Sequence, residues 1–250
     1  MAKKYLGQIV AAAVTCSPIA AMAQPLSGLY VTLGSGLNLQ GDDSETASTS
    51  PAVANRVKLN PGFALSGAVG YGFGIGIRAE LEASFRSNAL GTGNGAGNVF
   101  AYDGNDRTYA LMVNGLYDIN LGLPIVPYVG AGIGIALNSW DPVTRSATNL
   151  SGSGLNASQT FNASQAAFAY QAKAGIAYPI ATAPGLALTV DFTHFATTSI
   201  RRFDQTLTIS CPSSACGGPF SFTSPGYRNF SQPTHETIMI GVRYQFGGPR

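Results

Sequence analysis

The sequence is poor in charge. Asp, Glu, Lys and Arg make up 10% of its 250 residues, whereas about a quarter of the residues of a soluble globular domain are charged. Mean hydropathy is +0.14. Beyond the N-terminus there is no apolar run of about 18 residues, so a membrane-spanning helix is excluded there. An apolar chain without such a helix favours membrane strands.

Cysteine and histidine are also scarce, with three and two residues. Cys211 and Cys216 stand close together in CPSSAC, and in an exported protein this spacing favours a local disulfide. A metal site is the alternative, but it would need more ligands than the two histidines offer. No cofactor is expected.

The N-terminus has the form of a secretory signal peptide. Two lysines precede an apolar stretch from Tyr5 to Ala21, and the tripeptide Ala21-Met22-Ala23 fits a cleavage site. Residues 1–23 are therefore predicted to be removed, leaving residues 24–250 as one exported domain. Lipidation at Cys16 is the alternative, although Thr15 is unfavourable before a lipidated cysteine.

Removal of the signal peptide would leave twelve basic and twelve acidic side chains. The exported domain would have no net charge and no basic patch of the kind that binds nucleic acid. Nucleic acid is therefore not expected as a partner.

Apolar and polar residues alternate along the sequence with a period of two. In the segment 77–86, IRAELEASFR, Leu81, Ala83 and Phe85 lie on one predicted face of a strand, and the other face bears four charges. If the apolar face meets lipid and the charged face lines the lumen of a barrel, the composition of both faces is explained. Glu80 and Glu82 are then predicted to point inward to cationic partners.

Eight segments alternate in this way, and each is about long enough for a tilted strand to cross a bilayer. They span residues 29–39, 63–73, 77–86, 108–119, 128–138, 168–178, 186–193 and 237–246. Aromatic residues near the segment ends suit the two membrane interfaces. A soluble sandwich or lipocalin-like barrel is the alternative, but the small residues opposite the large ones would make a poor water-facing surface.

The connections alternate in length. Short ones lie at 74–76, 120–124 and 179–185, and long ones at 40–61, 87–106, 139–164 and 196–232. The sequence therefore predicts an all-β, eight-stranded antiparallel up-and-down transmembrane barrel with short periplasmic turns and long outer loops. The long loops, rich in Gly, Ser, Asn and Thr, are expected to be mobile and to lack a core of their own.

Four stretches carry a family resemblance: GLYVTLGSGLNL, SGAVGYGFGIGIRAELEASFR, TYALMVNGLYDINLGLPIVPYVGAGIGIA and HETIMIGVRYQF. They resemble successive strands of the OmpA-like, opacity-type eight-stranded outer-membrane barrel. The resemblance implies an outer-membrane location, contact with lipid and lipopolysaccharide, and loops that could bind host or surface ligands. The last segment is similar to the signal read by the barrel assembly machinery, through Ile240, Val242, Tyr244 and Phe246.

Eight charges are predicted to form a lumenal network, with four cations facing four carboxylates: Arg78, Arg86, Lys173 and Arg243 against Glu80, Glu82, Asp118 and Asp191. Unpaired buried charges are costly, so a narrow lumen should hold them as salt bridges and hydrogen bonds. The network is expected to plug the lumen, because eight strands leave room for little more than side chains. Inward glycines in the first and fifth segments leave space for a water-filled cavity or a narrow leak.

Catalysis is not expected. Glu80 and Glu82 favour ion pairing over acid/base chemistry. Some eight-stranded barrels deacylate lipid A with a His and a Ser two residues later, but Ala196 stands at that position after His194. The sequence thus predicts a structural or surface-interacting barrel. A small-solute, porin-like channel is the alternative, and a lipid-modifying enzyme is the third hypothesis.

Overall fold

The computed structural model describes residues 26–47, 54–95, 98–148, 154–198, 200–211 and 218–247. The predicted signal peptide and Cys216 lie outside these residues. No helix in the described ranges has the length and apolar character needed to cross a membrane.

Thirteen strands follow one another along the described chain. They are β1 (Ser27–Gln40), β2 (Asp43–Ala47), β3 (Ala54–Leu59), β4 (Gly62–Phe73), β5 (Ile77–Gly95), β6 (Asn98–Asp103), β7 (Asn105–Asp118), β8 (Val126–Ala147), β9 (Asn156–Pro179), β10 (Leu186–Thr197), β11 (Arg201–Cys211), β12 (Phe220–Phe230) and β13 (Thr234–Gln245).

Eight of these strands close into one antiparallel barrel. The pairing order is β1, β4, β5, β7, β8, β9, β10 and β13, and β13 pairs back with β1. The first and last described strands therefore meet, and this ring has no free edge. The predicted eight-stranded up-and-down barrel is confirmed.

The barrel wall is apolar outside and polar inside, because successive side chains of a strand point to opposite faces. On β5, Leu81 is 52% exposed, whereas Glu80 and Glu82 are buried. Ala83 is exposed and Phe85 is half-buried on the same outer face as Leu81. Similar exposed apolar residues on all eight strands form a belt around the barrel.

Tight turns join the strands at one end of the barrel. Between β4 and β5, Gly74 and Gly76 have φ angles of 77° and 87°. L-residues with side chains rarely adopt this left-handed region, so glycine allows the two strands to reverse within three residues. The connections 119–125 and 180–185 are also short.

The expectation of long loops without a core is wrong. Strands β2, β3, β6, β11 and β12 lie in the long connections and pair with the ends of β5, β8 and β9 that extend past the barrel. The pairing β5, β6, β8, β9, β11, β12, β2, β3 and back to β5 closes a second antiparallel circuit. We call this circuit the outer ring.

The outer ring encloses a hydrophobic core. Trp140 lies at its centre, with ring centroids 5.7, 4.9 and 4.5 Å from Phe161, Phe203 and Phe230. The core consists of Val57, Leu90, Tyr102, Trp140, Val143, Phe161, Phe203 and Phe230. Each strand supplies only one or two of these side chains, so burial of large aromatic surfaces arises only after the strands pair.

Candidate functional site

The lumen is the part of the molecule where polar side chains are concentrated. All eight predicted network charges point into it: Arg78, Glu80, Glu82, Arg86, Asp118, Lys173, Asp191 and Arg243. Their contacts determine whether they act as one network. They divide into two ion-paired groups, two further cations and one further carboxylate.

Arg78 is the centre of the first group, near the short-turn end. Its Nη1 lies 3.0 Å from Glu80 Oε1, and its Nε lies 2.9 Å from Asp118 Oδ1. Tyr30 donates its hydroxyl hydrogen to Glu80 Oε1 at 2.6 Å and accepts a hydrogen bond from Arg78 Nη1 at 3.0 Å. The guanidinium also lies over the Tyr128 ring, 4.8 Å from its centroid. One arginine therefore engages two carboxylates.

A glycine makes room for this group. Gly70 pairs with both Tyr30 and Glu80 in the sheet. A Cβ atom on Gly70 would overlap the ring and hydroxyl of Tyr30 and approach Glu80 Cγ to 2.8 Å. The missing side chain therefore lets the phenol reach the carboxylate.

The second group is centred on Glu82. Lys173 Nζ lies 2.6 Å from Glu82 Oε2. Asn114 Nδ2 and Gln171 Nε2 donate to the same oxygen at 2.9 and 3.3 Å, and Gln171 Nε2 also donates to Asn114 Oδ1 at 2.7 Å. The group ties β5, β7 and β9 together across the lumen.

Arg86 and Arg243 form no ion pair with a residue that the structure describes. Four cations face four carboxylates, but Arg78 takes two of the carboxylates and Lys173 takes Glu82. The fourth carboxylate, Asp191, accepts a hydrogen bond from the Tyr128 hydroxyl instead of a cation.

Arg86 is buried against an aromatic ring. Its guanidinium carbon lies 4.1 Å from the centroid of Phe195, and its Nη1 donates to Ser84 Oγ at 3.0 Å. A cation over an aromatic face is stabilised by the ring quadrupole. This contact takes the place of the expected carboxylate partner.

A layer of uncharged polar residues lies above Arg86. Asn38 donates to Asn88 Oδ1 and, at 2.9 Å, contacts His235 Nδ1, while Thr237 Oγ1 donates to Asn38 Oδ1 at 2.7 Å. Sequence reasoning missed this layer. Buried Asn and His at inward positions of the first and last strands were the available signal.

A third charged group, also missed, lies at the base of the outer ring. Arg201 binds Asp43 through Nη2 and Asp106 through Nη1, the latter at 2.5 Å. Gln40 Nε2 donates to Asp106 Oδ2 at 2.7 Å. The long connections carry many other charged side chains, so no signal in the sequence singled out these three. The group fastens β2 and β11 to β7.

Burial dominates the electrostatics of this group. Burial raises the pKa of Asp43 to about 6, because loss of water outweighs the attraction of Arg201, and Asp106 adds repulsion. Burial alone would lower the pKa of Arg201, but Asp106 and Asp43 raise it above its ordinary value. The arginine therefore stays charged, and Asp43 is the group that can titrate near neutral pH.

His194 lies on the opposite face of the wall from the lumenal groups. Its Nδ1 is 2.6 Å from Glu236 Oε1, and both side chains are about two-fifths exposed. Ala196, two residues after His194, is buried. Within the described ranges, no three His, Cys, Asp or Glu side chains are placed to hold a metal ion.

Two further predicted groups lie outside the lumen. Cys211, at the end of β11, is disulfide-bonded, and its predicted pairing with Cys216 stays a prediction. The residues of the predicted assembly signal are all exposed on the outer face of the wall: Ile240, Val242, Tyr244 and Phe246.

A closed antiparallel ring with an exposed apolar belt and a buried polar interior defines an integral membrane β-barrel. Residues 9–246 match the family model of the outer membrane protein beta-barrel domain. The chain belongs to this family and is an outer-membrane barrel protein of the Gram-negative type.

Several known proteins are similar to this chain. An outer membrane protein of Gluconacetobacter diazotrophicus is 30% identical over 92% of the chain, and the chain spans about 60% of the length of that relative. The outer membrane protein OprG of Pseudomonas aeruginosa is 14% identical, with a TM-score of 0.51 over 89% of this chain and 98% of that one. Neisserial surface protein A is 16% identical, with a TM-score of 0.45 over 88% and 98%.

Proposed function

We propose that this protein is a closed-lumen barrel with a structural or surface-interacting role carried by its outer ring. The observation that carries the proposal is the aromatic core around Trp140. It stands above the barrel on the side of the long connections, where a solute would have to enter. A core packed to the density of a protein interior excludes even water.

The lumenal groups support the same role. Below the aromatic core lie the Arg201 group, the Asn38 layer, and then the groups centred on Glu82 and Arg78. Each crosses the lumen by side-chain contacts between strands. A solute would have to displace buried ion pairs in succession, and breaking such a pair costs several kcal/mol, on the order of 3–5.

The proposed partners follow from the surface. The apolar belt would contact membrane lipid and lipopolysaccharide, and the exposed residues from Ile240 to Phe246 would be read by the barrel assembly machinery. The outer ring would present its polar outer face to surface ligands. No catalytic role is included, and none of these contacts requires a cofactor.

Liposome swelling tests the closed lumen. Vesicles carrying the purified barrel should swell in an isotonic pentose solution no faster than empty vesicles, while vesicles with a general porin swell rapidly. Rapid swelling with the intact protein would contradict the proposal and favour the porin-like channel. That second candidate is favoured by Arg243, whose Nη1 lacks a hydrogen-bond partner in the lumen.

A lipid-modifying activity is the third candidate, favoured by the His194–Glu236 pair. A carboxylate that contacts one ring nitrogen of a histidine orients the other ring nitrogen to act as a base. The His194–Glu236 pair lies on the lipid side of the barrel wall. Ala196 stands where the nucleophilic Ser of such an enzyme would be expected. Cells that express the protein should therefore yield lipid A of unchanged mass; a mass change that is lost in His194→Ala would establish the activity.

A further inference from the structure

A small cavity lies in the lumen between the two ion-paired groups. Its wall includes the Arg78–Glu80 and Lys173–Glu82 pairs, together with Thr32, Thr189 and Arg243. About 20 Å³ is open to the centre of a water molecule. A cavity holds a water when this space exceeds about 10–15 Å³, so the site has room for roughly one.

The cavity wall contains buried polar atoms without hydrogen-bond partners. Such atoms are uncommon in folded proteins, and each calls for a partner. Five of them belong to residues that line this one cavity: Thr32 Oγ1, Arg78 Nη2, Glu82 Oε1, Thr189 Oγ1 and Arg243 Nη1. Five such atoms on the residues of one wall indicate that the cavity holds a polar occupant.

The chemistry of the wall selects water as that occupant. Arg78 and Arg243 can only donate hydrogen bonds, Glu82 Oε1 can only accept, and the threonine hydroxyls can do both. A halide would be attracted by the arginines but repelled by the carboxylate. A metal cation would be attracted by the carboxylate but repelled by the arginines. A water molecule can donate to the carboxylate and accept from an arginine.

We infer that this cavity is a binding site for one ordered water molecule that connects Arg243 to polar atoms on other strands. The inference goes beyond the proposed function, because it concerns how the barrel is held closed. Arg243 lies on β13, which closes the ring against β1. The water supplies the link to other strands that no carboxylate provides for this arginine.

A double-mutant cycle tests the link. Thr189→Val removes one hydroxyl from the cavity, and Arg243→Met removes the guanidinium. If both side chains bind the same water, the fall in the urea midpoint of unfolding in lipid vesicles should be smaller for the double variant than the sum of the falls for the two single variants. Either change alone already disrupts the site.

Thr193→Val is the matched control. Thr193 lies four residues along the same strand, is buried with its hydroxyl unpartnered, and is absent from the cavity wall. Its effect should add to that of Arg243→Met. If the effects of Thr189→Val and Thr193→Val both add to that of Arg243→Met, the inference is overturned. If Arg243→Met does not fold, Thr32→Val with Thr189→Val gives the same cycle.

A crystal structure identifies the occupant directly. The inference expects one water peak within hydrogen-bond distance of at least three of the five atoms. Crystals soaked in bromide should show no anomalous peak in the cavity. An empty cavity overturns the inference, and a bromide peak overturns it in favour of an anion site.

Discussion

Lys173 and Glu82 form an ion pair across the lumen, with Nζ 2.6 Å from Oε2. The two residues belong to β9 and β5, which are separated in the barrel by β7 and β8. The carboxylate is buried and takes two further hydrogen bonds through the same oxygen. The pair therefore fixes two distant strands relative to each other.

Lys173→Met should leave Glu82 buried without its cation. Removal of one partner of a buried pair typically costs about 3–5 kcal/mol. Urea unfolding in lipid vesicles should show a loss of this size. The double variant Lys173→Met with Glu82→Leu should regain part of this loss, because neither member of the pair then remains without its partner. A single variant within about 0.5 kcal/mol of the parent would contradict the pairing.

Gly70→Ala should destabilise the barrel. The added methyl group would overlap the Tyr30 ring, and overpacking of a filled interior costs about 1–3 kcal/mol. Gly115→Ala is the control, since a Cβ there meets nothing within 4 Å. The measurement is the temperature at which the folded, faster-migrating form disappears on a detergent gel. Equal temperatures for the two variants would rule out the tight fit at Gly70.

Trp140→Ala should loosen the outer ring. Removal of a buried Trp costs about 3–5 kcal/mol, and this one lies in the core of the outer ring alone. Trypsin should cleave near Arg202 faster in this variant, while the membrane barrel keeps its gel mobility. Phe222→Ala, which alters a side chain that is 59% exposed, should leave the cleavage rate unchanged. Faster cleavage in both variants would argue against a packed core.

The stability of the outer ring should depend on pH through Asp43. Burial raises the pKa of Asp43 from 3.8 to about 6, so the folded state binds a proton more tightly than the unfolded chain. The contribution of this group is therefore greatest below about pH 4 and falls as pH rises through 6. Trypsin resistance should be higher at pH 5 than at pH 7.5, when each cleavage rate is normalised to that of an unfolded peptide at the same pH.

Asp43→Asn supplies the control for the pH dependence. The amide keeps the size of the side chain but cannot titrate, so the difference in resistance between pH 5 and 7.5 should shrink. An unchanged difference would assign the effect to another group. Resistance that increases from pH 5 to 7.5 in the parent would contradict the sign.

The membrane barrel could be predicted from sequence because its signal is local. Segment 77–86 alternates in every residue, and the face of each side chain then follows from strand geometry alone. The inward positions of Glu80 and Glu82 required no knowledge of neighbouring strands. The cation that each carboxylate contacts could not be predicted without knowledge of the neighbouring strands, since Lys173 and Glu82 are 91 residues apart in the chain.

The outer ring escaped prediction because its signal is not local. β2 has five residues and β3 and β6 have six each, too few for a period to be recognised. Trp140 and Phe230 come together only through pairings that link two different connections. Low hydrophobicity over a long loop indicated mobility, yet a few aromatic residues per connection suffice once they share one core.

The conductance of single barrels in a planar lipid bilayer tests the closed lumen most directly. The intact protein should insert without producing stable current steps, because the core around Trp140 and the ion pairs beneath it fill the path. Insertion is verified separately by the heat-dependent gel shift of protein recovered from the same lipid. Reproducible steps of a fixed size from the intact protein would contradict a closed lumen and make the barrel a channel.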